Sequence, residues 1–199
     1  LGTSRQLVSW LRDAEPPPAG ATLINFLGSH DGIGLRPVEG ILSVEDVRAL
    51  IDVTVQAGGT WSGHVSGEEI HPYEMNVAPA SLFGMDRLLT GHTLLASLRG
   101  VPAYYFPAVE GEPNDLEAAE NEGHNRAINR PKRTIESRIE VLDDARTSSR
   151  DELIRRLALR QTISAFHPDA QQRILDLEDP LLGIVRGEEP ASVTVIANL

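Results

Sequence analysis

The side chains best suited to chemistry lie in one segment, residues 21–42, with the sequence ATLINFLGSHDGIGLRPVEGIL. Residues 22–26 are mostly β-branched or apolar, which predicts a short buried strand. His30 and Asp31 follow in a polar turn, and the C-terminal end of a buried strand is where α/β barrels keep their catalytic groups. On these residues alone, a turn in which Asp31 caps the next segment is an equal alternative. Glycines around the turn let the backbone bend tightly and a ligand come close, namely Gly28, Gly32 and Gly34.

The elements around this turn follow from hydrophobic periodicity and from helix caps. Helices are predicted over four segments, residues 3–13, 43–57, 80–98 and 151–166. Buried strands are predicted over residues 22–27 and 101–106. Residues 60–79 are broken by glycines and prolines and are predicted to form a long loop, a kind of segment that often carries function. The predicted order is strand, helix with loop, helix and strand, which is the order of parallel units in a barrel.

Near residue 170 the spacing of apolar residues changes from the period of a helix to that of short strands. Three strands are predicted, over residues 173–177, 182–186 and 192–197. Turn residues separate them, so this part of the chain is predicted to be a small antiparallel β module.

Composition excludes several classes of protein. The net charge of −11 argues against nucleic-acid partners and against anionic membranes, and no apolar run approaches the roughly 20 residues that cross a bilayer. The absence of cysteine fits a cytoplasmic enzyme and excludes thiolate metal sites. The histidines lack tight ligand spacing, and GSHDGIG lacks the spacing of a dinucleotide motif, so neither a metal nor a cofactor is predicted.

Five segments of the sequence carry a resemblance to a known family. The segment NFLGSHDGIGLRPVEGIL closely resembles the seventh-strand motif of the sucrose phosphorylase branch of the α-amylase family, and residues 100–105 resemble that family's eighth strand. NDLE at 114–117 and RAINR at 126–130 resemble two further segments of sucrose phosphorylases, with Asn125 in place of a usual glycine. PYEMN at 72–76 is closer to the SPYELN loop of glucosylglycerate phosphorylases than to the LDLYQVN loop of sucrose phosphorylases.

The resemblance covers roughly residues 20–199 and implies a fold. The fold class is α/β: residues 1–169 are the C-terminal part of a (β/α)8 catalytic barrel, with strands seven and eight and their helices. Residues 170–199 begin a C-terminal β domain. A full barrel needs about 250 residues, and the first strong strand already carries a late-barrel motif, so the 199 residues are expected to be the C-terminal part of a longer protein.

The resemblance also implies an activity. The complete protein is expected to be a retaining glycoside phosphorylase, a glycosyltransferase that moves an α-glucosyl unit between sucrose or a glucosylglycerate-like donor and inorganic phosphate, giving glucose 1-phosphate. Asp31 is then the transition-state stabiliser, and His30 donates hydrogen bonds to the same face of the sugar. Arg126 lies in the donor-sugar subsite, paired with an upstream aspartate. The other expected substrate contacts are His71, Tyr73, Glu74, Arg130 and His124, each of which has a solvated surface loop as its alternative.

The family's nucleophile and acid/base lie on strands four and five, outside these residues. The chain alone is therefore expected to be inactive. Two other functions stay open: a catalytically inactive carbohydrate-binding remnant, and an α-glucosidase-like hydrolase. The acceptor, whether fructose, fructose phosphate, glycerate or glycerol, and the oligomeric state, a homodimer included, are not determined by the sequence.

Overall fold

The computed structural model describes residues 2–67, 69–132, 134 and 144–199. These residues form two compact units. The terminal unit contains residues 2–26, 89–103 and 152–199, and the described residues of the site unit are 27–67, 69–88, 104–132, 134 and 144–151. No helix in the described ranges is long and apolar enough to cross a membrane.

The terminal unit combines one helix, a parallel strand pair and an antiparallel sheet. Helix α1 spans Arg5–Asp13, and strands β1 (Ile24–Asn25) and β5 (Val101–Pro102) pair in parallel, as predicted for neighbouring strands. The sheet has the order β6 (Gln172–Ile174), β7 (Leu181–Arg186), β8 (Val193–Asn198), which confirms the antiparallel module. Its apolar core packs Leu11 of α1 against Leu182 and Ile184 of β7.

The prediction of buried strands over 22–27 and 101–106 was wrong in length and in burial. Strands β1 and β5 have two residues each, and Ile24 is 67% exposed and Val101 41% exposed. A parallel strand becomes buried only when layers cover both of its faces. Among the described residues β1 and β5 form a sheet of two strands, so their apolar side chains stay accessible.

The site unit is built on a three-stranded antiparallel sheet and a helix. Strands β2 (Ile33–Gly34), β4 (Glu69–Asn76) and β3 (Thr60–Ser66) pair in the order β2-β4-β3. Helix α2 (Val44–Gln56) starts at the predicted cap, where Ser43 and Asp46 form a reciprocal capping box. A core around Met75 and Val77 joins sheet and helix, with Val47, Leu50 and Ile51 from α2 packed against it.

The prediction of a loop over residues 60–79 was wrong, because most of it is the β3–β4 hairpin. Pro72 lies within β4, where a proline would remove a ladder hydrogen bond. The register shifts between Ser62 and Gly63, directly opposite Pro72, so the proline is accommodated at an irregularity of the ladder. Gly67, with φ 66°, lies between the two strands and supplies the left-handed backbone that the turn needs.

The remaining helices largely follow the predicted pattern. Helix α3 spans Pro79–Ser97 and is interrupted at Gly84, whose φ of 68° and ψ of 168° are not helical. Three short helices lie in the polar segment after β5: α4 (Phe106–Val109), α5 (Leu116–Glu122) and a 3-10 helix at Asn125–Asn129. Helix α6 (Asp144–Gln161) begins before its predicted start at 151, and both α3 and α6 contribute residues to both units.

Candidate active site

The turn that carries His30 and Asp31 is held by its own backbone. Ser29 and Gly32 exchange two backbone hydrogen bonds of 3.0 and 3.1 Å, and the Asp31 N–H donates to Ser29 Oγ at 3.2 Å. Gly32 has φ 124°, and a Cβ there would overlap the Met75 carbonyl oxygen of β4. The predicted need for glycine is confirmed at this position, because no other residue allows the turn to lie so close to the strand.

The Asp31 side chain is not a helix cap, so the structural alternative for this residue was wrong. The 3-10 helix that follows, Arg36–Val38, has no side-chain cap. Two arginines and one histidine instead contact the same oxygen of the carboxylate. Arg130 Nη2 lies 2.6 Å, Arg126 Nη1 3.2 Å and His30 Nε2 3.3 Å from Oδ1.

The second carboxylate of the site, Glu74, is buried on β4 and holds Arg126. Arg126 Nε lies 3.0 Å from Glu74 Oε2 and its Nη2 lies 3.2 Å from Oε1, which is a two-point pair. The pKa of Arg126 is raised, first by these hydrogen bonds to Glu74 and further by the charge of Asp31. Arg126 therefore bridges a buried carboxylate and a partly exposed one.

A chain of side-chain hydrogen bonds orients Glu74. Asn76 Nδ2 donates to Glu74 Oε2 at 2.9 Å and to the Asp31 carbonyl oxygen at 3.1 Å. Ser62 Oγ donates to Asn76 Oδ1 at 2.6 Å, which fixes the orientation of the amide. Asn76 is fully buried, so these bonds satisfy polar groups that water does not reach.

The 3-10 helix Asn125–Asn129 brings both arginines to the turn, and its two ends are anchored. At its start, His124 Nδ1 accepts the Ala127 N–H at 3.1 Å. At its end, Asn129 Nδ2 donates to the Ser29 carbonyl at 2.6 Å, and the Asn129 carbonyl accepts the Tyr105 hydroxyl at 2.7 Å. Burial raises the pKa of Tyr105, and the charge of Arg130 opposes that effect.

Five of the eight predicted site residues meet in this cluster: His30, Asp31, Glu74, Arg126 and Arg130. Of the other three, His124 caps the 3-10 helix, and His71 and Tyr73 lie on the hairpin beside the ring of His64. The rings of His71 and His64 stack with centroids 5.6 Å apart, and the Tyr73 ring centroid is 6.4 Å from that of His64.

Sequence reasoning missed three residues of the site and one pairing. Ser62, Asn76 and Asn129 were not predicted as site residues, and neither was the ion pair of Arg126 with Glu74. The available signal was the alternation of a strand, which puts Glu74 and Asn76 on the same face. That signal was hidden because residues 60–79 were interpreted as a loop.

The cluster suits stabilisation of positive charge beside a polyhydroxylated ligand. Glu74 is engaged on both oxygens by Arg126, whereas all contacts of Asp31 converge on Oδ1 and its Oδ2 accepts no hydrogen bond from the described residues. Oδ2 is therefore free to accept from a hydroxyl group of a ligand. Within the described ranges no group of three or more His, Cys, Asp or Glu side chains is placed to hold a metal ion.

Comparison with known proteins finds curated relatives that are named as phosphorylases. The chain is 34% identical over 194 residues to glucosylglycerate phosphorylase from Escherichia coli (strain K12), covering 90% of the chain and 34% of the relative. It is 32% identical over 212 residues to glucosylglycerate phosphorylase from Allomeiothermus silvanus, covering 100% of the chain and 38% of the relative. The chain thus spans little more than a third of the length of these relatives. No protein-family model matches it.

The fold has a solved counterpart. The crystal structure of sucrose 6F-phosphate phosphorylase from Thermoanaerobacter thermosaccharolyticum matches with a TM-score of 0.86 and 18% identity, covering 99% of the chain and 40% of that protein. Sequence similarity, shared fold and the motifs around Asp31 and Arg126 agree. The chain is therefore similar in sequence to glucosylglycerate phosphorylases and shares its fold with the matching part of a sucrose 6F-phosphate phosphorylase.

Proposed function

We propose that this chain is the part of a retaining glycoside phosphorylase that carries the transition-state-stabilising carboxylate and the donor-sugar arginine. The complete protein transfers an α-glucosyl unit between a glucosylglycerate-like donor and inorganic phosphate. The observation that carries the proposal is Asp31, which Arg126 and Arg130 hold through Oδ1 and whose Oδ2 is left for a sugar hydroxyl. The names of the curated relatives and the PYEMN form of β4 favour glycerate over fructose as the acceptor.

The chemistry proceeds in two displacements with retention. An enzyme carboxylate attacks the anomeric carbon as the glycosidic C–O bond breaks, and the acid/base protonates the departing acceptor oxygen. A phosphate oxygen then attacks the glycosyl-enzyme carbon, and the enzyme carboxylate leaves, which gives glucose 1-phosphate. Positive charge develops on the sugar in both steps. The Asp31 carboxylate stabilises that charge, and its benefit is largest in the transition state.

The parallel pairing of β1 with β5 supports an assignment of these strands as neighbours seven and eight of a (β/α)8 barrel. In such barrels the residues that follow the strands form the catalytic face. His30 and Asp31 follow β1, and the arginine segment follows β5 across a longer connection. The nucleophile and the acid/base would come from strands four and five, so we propose that residues 1–199 are inactive without them.

The test is an assay of the complete protein that contains this chain. The upstream coding sequence should supply two carboxylates on strands that precede residue 1. The purified protein should release glucose 1-phosphate from glucosylglycerate only when phosphate is present, and more slowly from sucrose. Glucose release without phosphate would indicate a hydrolase. Sugar binding with no product, and an upstream sequence without the two carboxylates, would indicate an inactive binding remnant.

A further inference from the structure

An open pocket of about 910 Å³ lies wholly within the terminal unit. One wall is the proline-rich segment 16–22, which leads into β1, and the rest of the lining comes from Arg99 and from residues 167–169, 171 and 172. No residue of the cluster around Asp31 lines this pocket. Small-molecule sites in proteins measure roughly 300–1,000 Å³, so the pocket has room for an organic ligand.

Arg99 is the cation of this pocket, and only its backbone is engaged. Its N–H donates to Gln172 Oε1 at 2.7 Å, and its carbonyl accepts from Asn25 Nδ2 at 2.7 Å. Its guanidinium makes no hydrogen bond or ion pair with the described residues. The backbone of Arg99 is therefore fixed, while the N–H donors of its side chain remain available to a ligand.

Two further arginines lie close to Arg99, and neither meets a carboxylate among the described residues. Arg186 is fully buried and donates only to backbone carbonyl oxygens, those of Ser97, His167, Ala170 and Gln171. Arg160 also donates only to backbone carbonyl oxygens, those of Ala96, Gly100 and Phe166. Carbonyl dipoles solvate these two cations, but they carry no formal negative charge.

The three guanidiniums repel one another. The pKa of Arg186 is lowered to about 10, first by burial and then by the positive charges of Arg160 and Arg99. The whole chain carries a net charge of −11, so this group of cations differs from the general surface. Concave sites of one sign concentrate ions of the other sign. An anion bound at Arg99 would offset the repulsion.

The other polar side chains of the lining include two donors and one carboxylate. Gln172 Nε2 makes no hydrogen bond with the described residues. His167 Nδ1 accepts the Asp169 N–H at 3.3 Å, so a neutral ring carries its proton on Nε2 and can donate from there. Among the described lining residues the one carboxylate is that of Asp169, which is 73% exposed. Water screens its charge, so it opposes an anion only weakly.

We propose that this pocket binds a small organic phosphate, with the phosphate group on the Arg99 guanidinium and the organic part against the proline-rich wall. A guanidinium binds phosphate oxygens with two parallel hydrogen bonds. A phosphate monoester carries a charge of about −1.5 to −2 at pH 7, so it offsets more of the local positive charge than a carboxylate does. The pocket is much larger than a phosphate ion, which favours an ester as the ligand. The proposal does not depend on the proposed function.

Binding to the 199-residue chain tests the proposal without any requirement for activity. Glucose 6-phosphate, inorganic phosphate and glucose are titrated separately by calorimetry at one fixed ionic strength. The sugar phosphate should bind more tightly than either of the others, and hydrogen exchange should slow at residues 19–22 and 167–172 when it binds. Arg99→Gln should weaken binding about tenfold or more, the loss expected for a charge-assisted pair. It should leave the melting temperature unchanged, because the Arg99 side chain has no partner among the described residues.

Two further variants make the test specific. Asp169→Asn should tighten binding severalfold, because it removes the carboxylate of the lining. Arg173→Gln is the matched control, since it removes the same charge from the same unit. Arg173 is exposed and follows Gln172 on β6, so strand alternation places its side chain on the other face of the sheet. It should leave binding unchanged.

The proposal is overturned if the sugar phosphate does not bind, if Arg99→Gln binds it like the wild type, or if Arg173→Gln weakens binding as much as Arg99→Gln. Inorganic phosphate that bound as tightly as the sugar phosphate would also overturn it, because the organic part would then contribute nothing. The complete protein should show the same dependence on Arg99. Loss of that dependence would mean that upstream residues fill the pocket, and it would overturn the proposal.

Discussion

Arg126 and Glu74 are 52 positions apart in sequence and form a two-point ion pair, with Nε to Oε2 at 3.0 Å and Nη2 to Oε1 at 3.2 Å. Glu74 lies on a strand of the central sheet, and Arg126 lies on a 3-10 helix. The pair therefore joins the segment after β5 to the β3–β4 hairpin. Because Glu74 is buried, loss of its partner leaves a charge that water cannot readily solvate.

The first prediction concerns the shape of the Arg126 head group. In the complete enzyme Arg126→Ala should reduce kcat/KM by an amount equivalent to roughly 2–5 kcal/mol, since Glu74 is left without its cation. Arg126→Lys should recover little of this loss, because an ammonium cannot copy two parallel hydrogen bonds. The measurement is kcat/KM for phosphorolysis, with Arg130→Ala as the neighbouring comparison. Near-normal turnover of Arg126→Lys together with failure of Arg130→Ala would assign the donor-site role to Arg130.

The second prediction concerns Asp31. Asp31→Asn keeps the shape of the side chain and removes the negative charge, so in the complete enzyme kcat should fall roughly a hundredfold or more, as when one preorganised electrostatic group is removed. The melting temperature should change little, because the carboxylate is partly exposed. Steady-state kinetics and thermal melting of the same preparation measure both effects. Turnover close to normal would remove Asp31 from the mechanism.

The third prediction separates acceptor choice from donor binding on strand β4. Exchange of residues 71–73 for the sucrose-type sequence, with Glu74 retained, should change the ratio of sucrose to glucosylglycerate phosphorolysis. The single change Glu74→Gln copies the residue that sucrose-type loops carry there. It should lower kcat/KM for both donors by a similar factor, because it weakens the hold on Arg126. If the exchange of 71–73 left the ratio unchanged, the acceptor would be selected elsewhere.

The sequence predicted features that neighbouring residues determine. It missed features that depend on residues far apart in the chain. Helix α2 was predicted because its capping box is encoded within four residues, Ser43 to Asp46. The terminal sheet was predicted because turn residues at Asp179-Pro180 and Gly187–Pro190 separate its short strands. Asp31 and Arg126 were chosen as site residues from motifs, because local physics alone does not show that residues so far apart in sequence lie together.

The wrong predictions all concern features that depend on tertiary contacts. The β3–β4 hairpin was missed because a proline usually argues against a strand. Here the proline is tolerated, because the strand pairing is irregular opposite it, at Gly63. The partnership of Arg126 with Glu74 depends on that hairpin. Burial of β1 and β5 was overestimated because apolar composition does not reveal which layers cover a strand.

The fourth prediction tests the close approach of the turn to strand β4. Gly32→Ala should cost about 2–4 kcal/mol of folding stability, since both the positive φ and the Met75 carbonyl oppose a Cβ. Gly40→Ala is the matched control: its φ is 78° and a Cβ there has no atom within 4 Å, so it should cost only about 1 kcal/mol. Urea unfolding of the chain measures both. Equal costs would mean that backbone conformation alone, and not the contact with β4, requires the glycine.

The last prediction is a pH dependence of stability carried by His92 on helix α3. Burial lowers the pKa of His92 from 6.5 to about 4. Above pH 6.5 the imidazole is neutral in both states and does not oppose folding. Between about pH 6.5 and 4 the unfolded chain binds a proton at this position that the folded chain excludes, so stability falls as the pH decreases.

The full difference corresponds to roughly 3 kcal/mol, the product of the pKa change and 1.36 kcal/mol per pH unit. Urea unfolding at pH 7.5, 5.5 and 4.0 should therefore show a loss of stability that His92→Gln reduces, because glutamine does not titrate. The control is the same variant at pH 7.5, where the wild-type imidazole is neutral in both states, so a difference measured there is the cost of the substitution itself. If His92→Gln loses as much stability on acidification as the wild type, other groups cause the dependence, and His92 is charged in the folded protein.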